Sequence, residues 1–133
     1  KKNSIHLKTI PNSNVKWKND DLNNKWKRIR YIRSIVLAKI EEARNNSIIK
    51  SSLQAKVEVI LSKSDKSLFK NLVPEDLFIT SEVDFITEEI GEPEVKISSA
   101  LGNKCVRCWK ILPEVKEDGI CKRCNDVIKK HYS

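Results

Sequence analysis

All four cysteines of the chain fall in one short stretch with the spacing Cys-x2-Cys-x12-Cys-x2-Cys, and they are Cys105, Cys108, Cys121 and Cys124. A two-residue step lets both thiolates of a pair face one point. Two such pairs complete a tetrahedron around Zn²⁺ without an open position for water. The spacing therefore predicts one structural zinc ion and no hydrolytic chemistry at that ion.

Three other uses of these cysteines fit the pattern less well. Paired disulfides are typical of secreted proteins, a redox dithiol needs only one Cys-x2-Cys pair, and the spacing differs from the common ferredoxin patterns. Residues 100–133 also have too little apolar content to fold alone. We therefore expect metal binding to supply the stability of this part of the chain.

Basic side chains surround the cysteines, and two explanations for them stay open. Four thiolates around Zn²⁺ leave a net charge of about −2, which neighbouring bases can offset. Residues 100–133 carry 8 Lys/Arg against 4 Asp/Glu, so a surplus remains for phosphate groups. The bases concerned are Lys104, Arg107, Lys110, Lys122 and Arg123.

Trp109 follows the second cysteine directly and also has two explanations. Its ring can cover the metal site as part of a small core. Alternatively, the ring is a stacking platform that holds an unpaired base beside Arg107, and such stacks contribute about 1–3 kcal/mol each. The second explanation indicates single-stranded RNA as the partner.

The charge of the chain is unevenly distributed. Residues 1–61 carry 14 Lys/Arg against 5 Asp/Glu, whereas residues 62–99 carry 4 against 9, and the whole chain has a net charge of +8. A polyanion would be attracted to both ends and repelled from the middle, as expected for RNA or DNA that engages a limited face. The same lysines also keep a protein soluble without such a partner.

Membrane and export signals are missing from the sequence. No apolar run approaches about eighteen residues, and the basic N-terminus is not followed by an unbroken apolar region. We therefore predict a soluble, cytoplasmic, monomeric protein without a membrane partner. Because methionine is absent and the chain starts Lys1-Lys2-Asn3, we expect it to be cut from a longer polypeptide.

Residues 20–46 predict a long amphipathic helix whose start Asp20 or Asp21 can cap. Apolar residues recur there at steps of three and four, at Leu22, Trp26, Ile29, Ile32, Val36, Ile40 and Ala43. The first half of the helix is basic, against the helix dipole, so either an RNA contact or a merely solvated face explains these charges. They are Lys25, Lys27, Arg28, Arg30 and Arg33.

A small sheet is predicted after this helix. Residues 55–61 alternate as a half-buried strand does, and residues 77–86 and 94–100 predict two more strands. A short helix over residues 66–72, ended by Pro74, lies between the first two. The predicted fold class is α+β, with a long basic amphipathic helix, a small three-stranded sheet with a short helix, and a C-terminal four-cysteine zinc finger.

Five stretches carry a family resemblance: Ser4-Ile5-His6-Leu7 with Pro11, Ser51-Ser52-Leu53-Gln54-Ala55-Lys56-Val57, Leu77-Phe78-Ile79-Thr80-Ser81, Lys104-Cys105-Val106-Arg107-Cys108-Trp109, and Cys121-Lys122-Arg123-Cys124. In this order they resemble the C-terminal end of bacterial-type isoleucyl-tRNA synthetases. Gln54 stands where that family usually has Glu. The Ser-Ser-Leu-x-Ala-Lys-Val stretch combined with Arg-Cys-Trp is specific, whereas a four-cysteine pattern alone occurs in many unrelated proteins.

The resemblance implies a class I aminoacyl-tRNA synthetase that attaches isoleucine to its tRNA using ATP, with its catalytic and editing domains upstream. It divides the chain into the end of the helical anticodon-binding region (1–50), a small α+β junction domain (51–101) and a zinc-binding domain (102–133) that contacts the anticodon arm of the isoleucine tRNA. Arg107 and Trp109 are then the candidates for touching anticodon-loop nucleotides.

Further candidate RNA contacts are the basic residues on both sides of the acidic middle, namely Lys25, Arg28, Arg30, Arg33, Lys104, Lys110, Lys122 and Arg123. The class I signatures His-Ile-Gly-His and Lys-Met-Ser-Lys-Ser are absent from residues 1–133. We therefore predict no catalytic residue in this chain, and expect ATP to bind only the parent enzyme.

Two other functions fit parts of the sequence. The zinc module can be a structural clasp that docks against the upstream domains of the parent protein and never meets RNA. Alternatively it can bind duplex DNA, because glycosylases that excise damaged bases also end in a four-cysteine zinc finger. The long basic helix and the stretch at residues 51–57 do not fit the DNA-binding alternative.

Overall fold

The computed structural model describes residues 4–132, so residues 1–3 and 133 of the predicted lead-in and zinc domain lie outside it. The chain folds as an α+β protein with a three-stranded sheet, a long helix and a cysteine-bearing end, which confirms the predicted fold class. Its elements are α1 (Asp20–Asn45), β1 (Ala55–Leu61), α2 (Lys63–Leu68), α3 (Pro74–Phe78), β2 (Glu82–Thr87), β3 (Glu94–Ser99), β4 (Asn103–Lys104), β5 (Ile111–Leu112) and α4 (Lys122–Tyr132). We call residues 20–99 the sheet unit and residues 103–132 the cysteine module.

Helix α1 confirms the predicted long amphipathic helix, with a correction at its start. Asn19, and neither Asp20 nor Asp21, is the N-cap, because Asn19 Oδ1 accepts a hydrogen bond from Leu22 N–H at 2.9 Å. Of the predicted apolar stripe, Leu22 is about half exposed, Trp26 packs at the edge of the core, and the buried members are Ile29, Ile32, Val36, Ile40 and Ala43. None of the helices within residues 4–132 has both the length and the apolar content to cross a membrane.

Strand β1 is the centre of the sheet. It pairs in parallel with β2 and antiparallel with β3, which gives the strand order β2-β1-β3. Its alternate residues Ala55, Val57, Val59 and Leu61 are fully buried and form one core with the buried stripe of α1. The predicted strand at 55–61 is confirmed, and the strand predicted over 94–100 ends one residue earlier, at Ser99.

In the connection between β1 and β2, two predictions from the sequence are wrong. Residues 77–81 are not strand, because α3 occupies Pro74–Phe78 and β2 begins only at Glu82. Pro74 lies in the first turn of α3. N–H groups in the first turn of a helix have no acceptor within the helix, so proline costs no hydrogen bond there and begins this helix. The helix predicted over 66–72 instead begins at Lys63 and ends at Leu68, because Ser62 Oγ accepts a hydrogen bond from Asp65 N–H and caps it.

Thr80, between α3 and β2, is a buried polar residue whose contribution to stability can be tested. Its side chain is fully buried, and Oγ1 has no hydrogen-bond partner within residues 4–132. A buried hydroxyl without a partner costs roughly 1–3 kcal/mol, and valine replaces it with a methyl group of similar size. We expect Thr80→Val to raise the free energy of unfolding by about 1 kcal/mol in urea denaturation.

The control for this substitution is Thr87→Val, because Thr87 is an exposed threonine at the end of β2. Its free energy of unfolding should change by less than about 0.5 kcal/mol. A loss of stability in Thr80→Val that exceeds the control would show that the Thr80 hydroxyl is satisfied in solution.

Candidate metal centre

The four cysteine sulfurs converge on one point. Their Sγ atoms all lie within 4.8 Å of one another, and the Sγ atoms of Cys108 and Cys121 are 3.8 Å apart. A tetrahedral ion with metal–sulfur bonds of about 2.3 Å requires sulfurs roughly 3.8 Å apart. The cluster can therefore hold one metal ion, with a ligand from each of Cys105, Cys108, Cys121 and Cys124.

The first two cysteines lie on a tight turn between β4 and β5. Cys105 N–H donates to the carbonyl oxygen of Lys110, and Trp109 N–H donates to that of Cys105, both at 2.9 Å. Trp109 adopts a φ of +67°, a left-handed conformation that is uncommon for a bulky side chain. Cys108 N–H lies 3.5 Å from Cys105 Sγ, an N–H to sulfur contact that favours the thiolate.

The second pair of cysteines is placed by helix α4. Cys121 directly precedes the helix and Cys124 lies in its first turn. Glu114 Oε1 accepts a hydrogen bond from Lys122 N–H at 3.0 Å, so a carboxylate satisfies an amide at the helix start. The side chains that pack around the sulfurs are Leu112, Val115 and Ile120.

The thiols differ in how strongly they hold a proton. Burial, the largest single influence, raises the pKa of Cys105, but backbone N–H groups that face its sulfur outweigh burial and lower that pKa to about 6. Burial raises the pKa of Cys108, and it raises the pKa of Cys121 to about 12. Since a divalent ion deprotonates the thiols that coordinate it, Cys105 is the ligand already prepared as a thiolate near neutral pH.

Trp109 lies on the surface of the cysteine module. Its side chain is 59% exposed, and Lys104 Nζ lies 4.8 Å from the centroid of its ring. The sulfurs are covered by Leu112, Val115 and Ile120 instead. Cover of the metal site therefore does not explain Trp109, and its exposed ring lies two residues along the chain from Arg107, which is also exposed.

Three of the predicted RNA contacts have partners within the chain. Arg28 forms two hydrogen bonds with the carboxylate of Asp65, at 2.8 and 2.9 Å, and Arg33 Nε donates to a carbonyl oxygen of α3 at 2.8 Å. Lys110 Nζ lies 2.8 Å from Asp76 Oδ1, and the Lys110 side chain is only 17% exposed. The hydrogen bonds from Arg28 and Lys110 lower the pKa of Asp65 and of Asp76. Structural roles thus account for these three bases, and their contact with RNA stays a prediction.

Most of the other predicted RNA contacts are exposed. Lys25 is half-buried on α1, and the exposed ones are Arg30, Lys104, Arg107, Lys122 and Arg123. Lys104 ends β4 and Arg107 lies on the turn that carries Trp109, whereas Lys122 and Arg123 lie in the first turn of α4. Near its cysteines, the module therefore combines four exposed predicted RNA contacts with the exposed aromatic ring of Trp109.

Ser81 is a structural residue that sequence reasoning missed as part of the site. Its side chain is buried, and its Oγ accepts a hydrogen bond from Ile111 N–H of the cysteine module at 2.7 Å. The same Oγ donates to the carbonyl oxygen of Leu53 in the sheet unit. A single serine carries no periodicity or ligand spacing, so only its place directly after an apolar run pointed to burial.

Curated relatives match almost the whole chain. Isoleucine–tRNA ligase from Gluconobacter oxydans is 35% identical over 131 residues, which cover 94% of this chain and 14% of the relative. The enzyme of the same name from Zymomonas mobilis is 34% identical over 126 residues, covering 94% of this chain and 13% of the relative. Isoleucine–tRNA ligase from Desulforamulus reducens is 32% identical over 146 residues, which cover 98% of this chain and 16% of the relative.

These matches cover much less of the relatives than of this chain, which spans about one seventh of their length. No protein-family model matches the chain. Because about a third of the residues are identical along nearly all of it, the chain belongs to the isoleucine–tRNA ligase family and corresponds to the C-terminal region of those enzymes.

Proposed function

We propose that this chain is the C-terminal zinc-binding and tRNA-binding region of an isoleucine–tRNA ligase, whose full enzyme attaches isoleucine to its tRNA using ATP. The observation that carries the proposal is the exposed ring of Trp109, which lies on the turn that carries Cys105 and Cys108 of the four-cysteine cluster. Membership of the ligase family supplies the class of RNA. The chain contributes binding and no catalytic group.

Zinc is the ion that we propose for the cysteine cluster. Four thiolates suit either zinc or an iron–sulfur cluster. A separation of at most 4.8 Å between the sulfurs leaves room for one ion at their centre, whereas a polynuclear cluster needs its ligands farther apart. Four protein ligands also leave no position for a substrate, so the role of the ion is structural.

The turn holds Trp109 ready for a stacking partner. A hydrogen bond from Trp109 N–H to Cys105 O fixes its backbone, and the two ligands Cys105 and Cys108 precede Trp109 on the same turn. Lys104 contacts the ring, and the exposed part of the ring remains for a nucleobase. A ring that is already ordered loses little conformational entropy when a base stacks on it, which favours affinity.

Phosphate contacts complete this surface. The exposed bases next to the cysteines in sequence are Lys104, Arg107, Lys122 and Arg123, and each can neutralise a phosphate. Binding of the anticodon arm here would orient the distant acceptor end in the active site of the full enzyme. The region therefore contributes to aminoacylation by positioning its substrate.

A substitution of Trp109 tests the proposal. We expect Trp109→Ala to weaken the binding of isoleucine tRNA about 5- to 150-fold, which corresponds to the roughly 1–3 kcal/mol of one base–aromatic stack. Zinc content should stay at one ion per chain, since the ring does not cover the sulfurs. Fluorescence anisotropy at one stated salt concentration measures affinity, and elemental analysis measures zinc.

The control variant is Trp17→Ala, because Trp17 is an exposed tryptophan outside the cysteine module. Loss of zinc in Trp109→Ala would make Trp109 a structural residue. Unchanged tRNA affinity, together with no crosslinks at residues 104–124 in the full enzyme, would favour a structural clasp. Tighter binding to duplex DNA than to tRNA at the same salt would favour the DNA-binding alternative.

A further inference from the structure

We propose that Ser81 is a positioning residue that fixes the cysteine module in one orientation on the sheet unit and thereby sets the affinity of Trp109 for RNA. The orientation part rests on hydrogen bonds in the structure, and the consequence for affinity rests on the proposed function. Ser81 connects two other segments, residues 53–55 of the sheet unit and Ile111 of the cysteine module.

The Ser81 hydroxyl uses its donor and its acceptor at the same time. Oγ donates to the carbonyl oxygen of Leu53 and accepts from Ile111 N–H at 2.7 Å, while the backbone N–H of Ser81 donates to Ala55 O at 3.2 Å. Ser81 is only 3% exposed, so water cannot easily replace these partners. Alanine at this position would remove the hydrogen-bond partner of both Leu53 O and Ile111 N–H, in two half-buried residues.

The position of Ile111 connects this contact to Trp109. Lys110, the preceding residue, accepts the hydrogen bond of Cys105 N–H at 2.9 Å and so closes the turn that carries Trp109. An anchor at Ile111 therefore holds the base of that turn. On the other side, the chain enters the module after Ala100, whose N–H donates to Gln54 O at 2.8 Å, and through Leu101, which is 77% exposed.

One ion pair supplements the serine contact. Lys110 Nζ lies 2.8 Å from Asp76 Oδ1, so the module also contacts α3. The Asp76 side chain is about half exposed, and ion pairs of this kind contribute little and tolerate rotation of long side chains. The buried hydroxyl, which donates to one part and accepts from the other, is the contact that defines a single orientation.

NMR spectroscopy of the zinc-loaded chain tests the inference. We expect residual dipolar couplings from residues 55–99 and 103–128 to fit one alignment tensor in the unsubstituted chain. In Ser81→Ala the two regions should need separate tensors, and the Ile111 amide should exchange with solvent at least about tenfold faster. One zinc per chain should be retained, while affinity for isoleucine tRNA falls at least about fivefold.

Two further variants make the result decisive. Ser67→Ala is the matched control, because the Ser67 hydroxyl bonds only to the nearby Ser64 O, at 2.6 Å, and this change should leave one tensor. Ile111→Pro removes the N–H donor from the module side and replaces Ser81→Ala if that variant does not fold. A single shared tensor in the folded variant would overturn the inference. Failure of the unsubstituted chain to bind tRNA would instead refute the proposed function. The alignment tensors would still show whether Ser81 fixes the orientation of the cysteine module on the sheet unit.

Discussion

Removal of the metal is expected to unfold the cysteine module while the sheet unit stays folded. The module has only a small apolar cluster around its sulfurs, whereas structural zinc contributes on the order of 10–16 kcal/mol in small zinc-dependent modules. The sheet unit has its own core between α1 and β1, which contains no cysteine. Addition of a strong chelator should therefore collapse the amide resonances of residues 103–132 toward random-coil positions and leave those of residues 55–99 in place.

A ligand substitution should reproduce this result without a chelator. Cys105→Ser removes a fully buried sulfur that faces several backbone N–H groups, so we expect it to abolish stoichiometric zinc and the helical signal of α4. The matched control is Val106→Ser, at the exposed neighbour of the ligand, which should keep both. A module that stays folded after chelation would show that its apolar cluster suffices, and the structural role of the metal would be refuted.

Gly102→Ala is expected to have the second largest effect. Gly102 has a φ of +117°, and a Cβ atom there would lie 2.3 Å from both the carbonyl carbon and the carbonyl oxygen of Leu112. Those atoms belong to the backbone of β5, which pairs with β4 directly after Gly102, so they cannot rotate away. We expect a loss of at least about 3 kcal/mol in the free energy of unfolding of the cysteine module.

Zinc titration measures this loss, because folding of the module and binding of the ion are coupled. Gly91→Ala is the matched control: a Cβ at Gly91 meets no atom within 4 Å, and its effect should stay within about 1 kcal/mol. Equal zinc affinities in the two variants would show that β4 and β5 can separate around position 102 without cost.

Features with a local signal could be predicted from the sequence. The three- and four-residue steps of Ile29, Ile32, Val36 and Ile40 predict α1 because they place side chains on one side of a helix. Alternation predicts β1 and β3, and the Cys-x2-Cys pairs predict sulfurs that converge. In each case the pattern reflects the geometry of one element.

Features that depend on contacts between distant parts of the chain could not be predicted. The apolar run Leu77-Phe78-Ile79 fits a strand or a buried helix equally well, and Pro74 with two acidic residues after it starts a helix there. Arg28 and Lys110 look like free bases, because their carboxylate partners are 37 and 34 residues away in sequence. The contact between Ser81 and Ile111 spans 30 residues and depends on how two folded parts meet.

The division of the ligands between a turn and a helix has a consequence for metal exchange. Cys105 and Cys108 lie on the turn between β4 and β5, whereas Cys121 and Cys124 lie at the start of α4. Unwinding of the first turn of α4 would withdraw two of the four sulfurs together and leave a bound ion with only one pair of ligands. Transfer of the ion to a competing chelator should therefore be limited by fraying of this helix end.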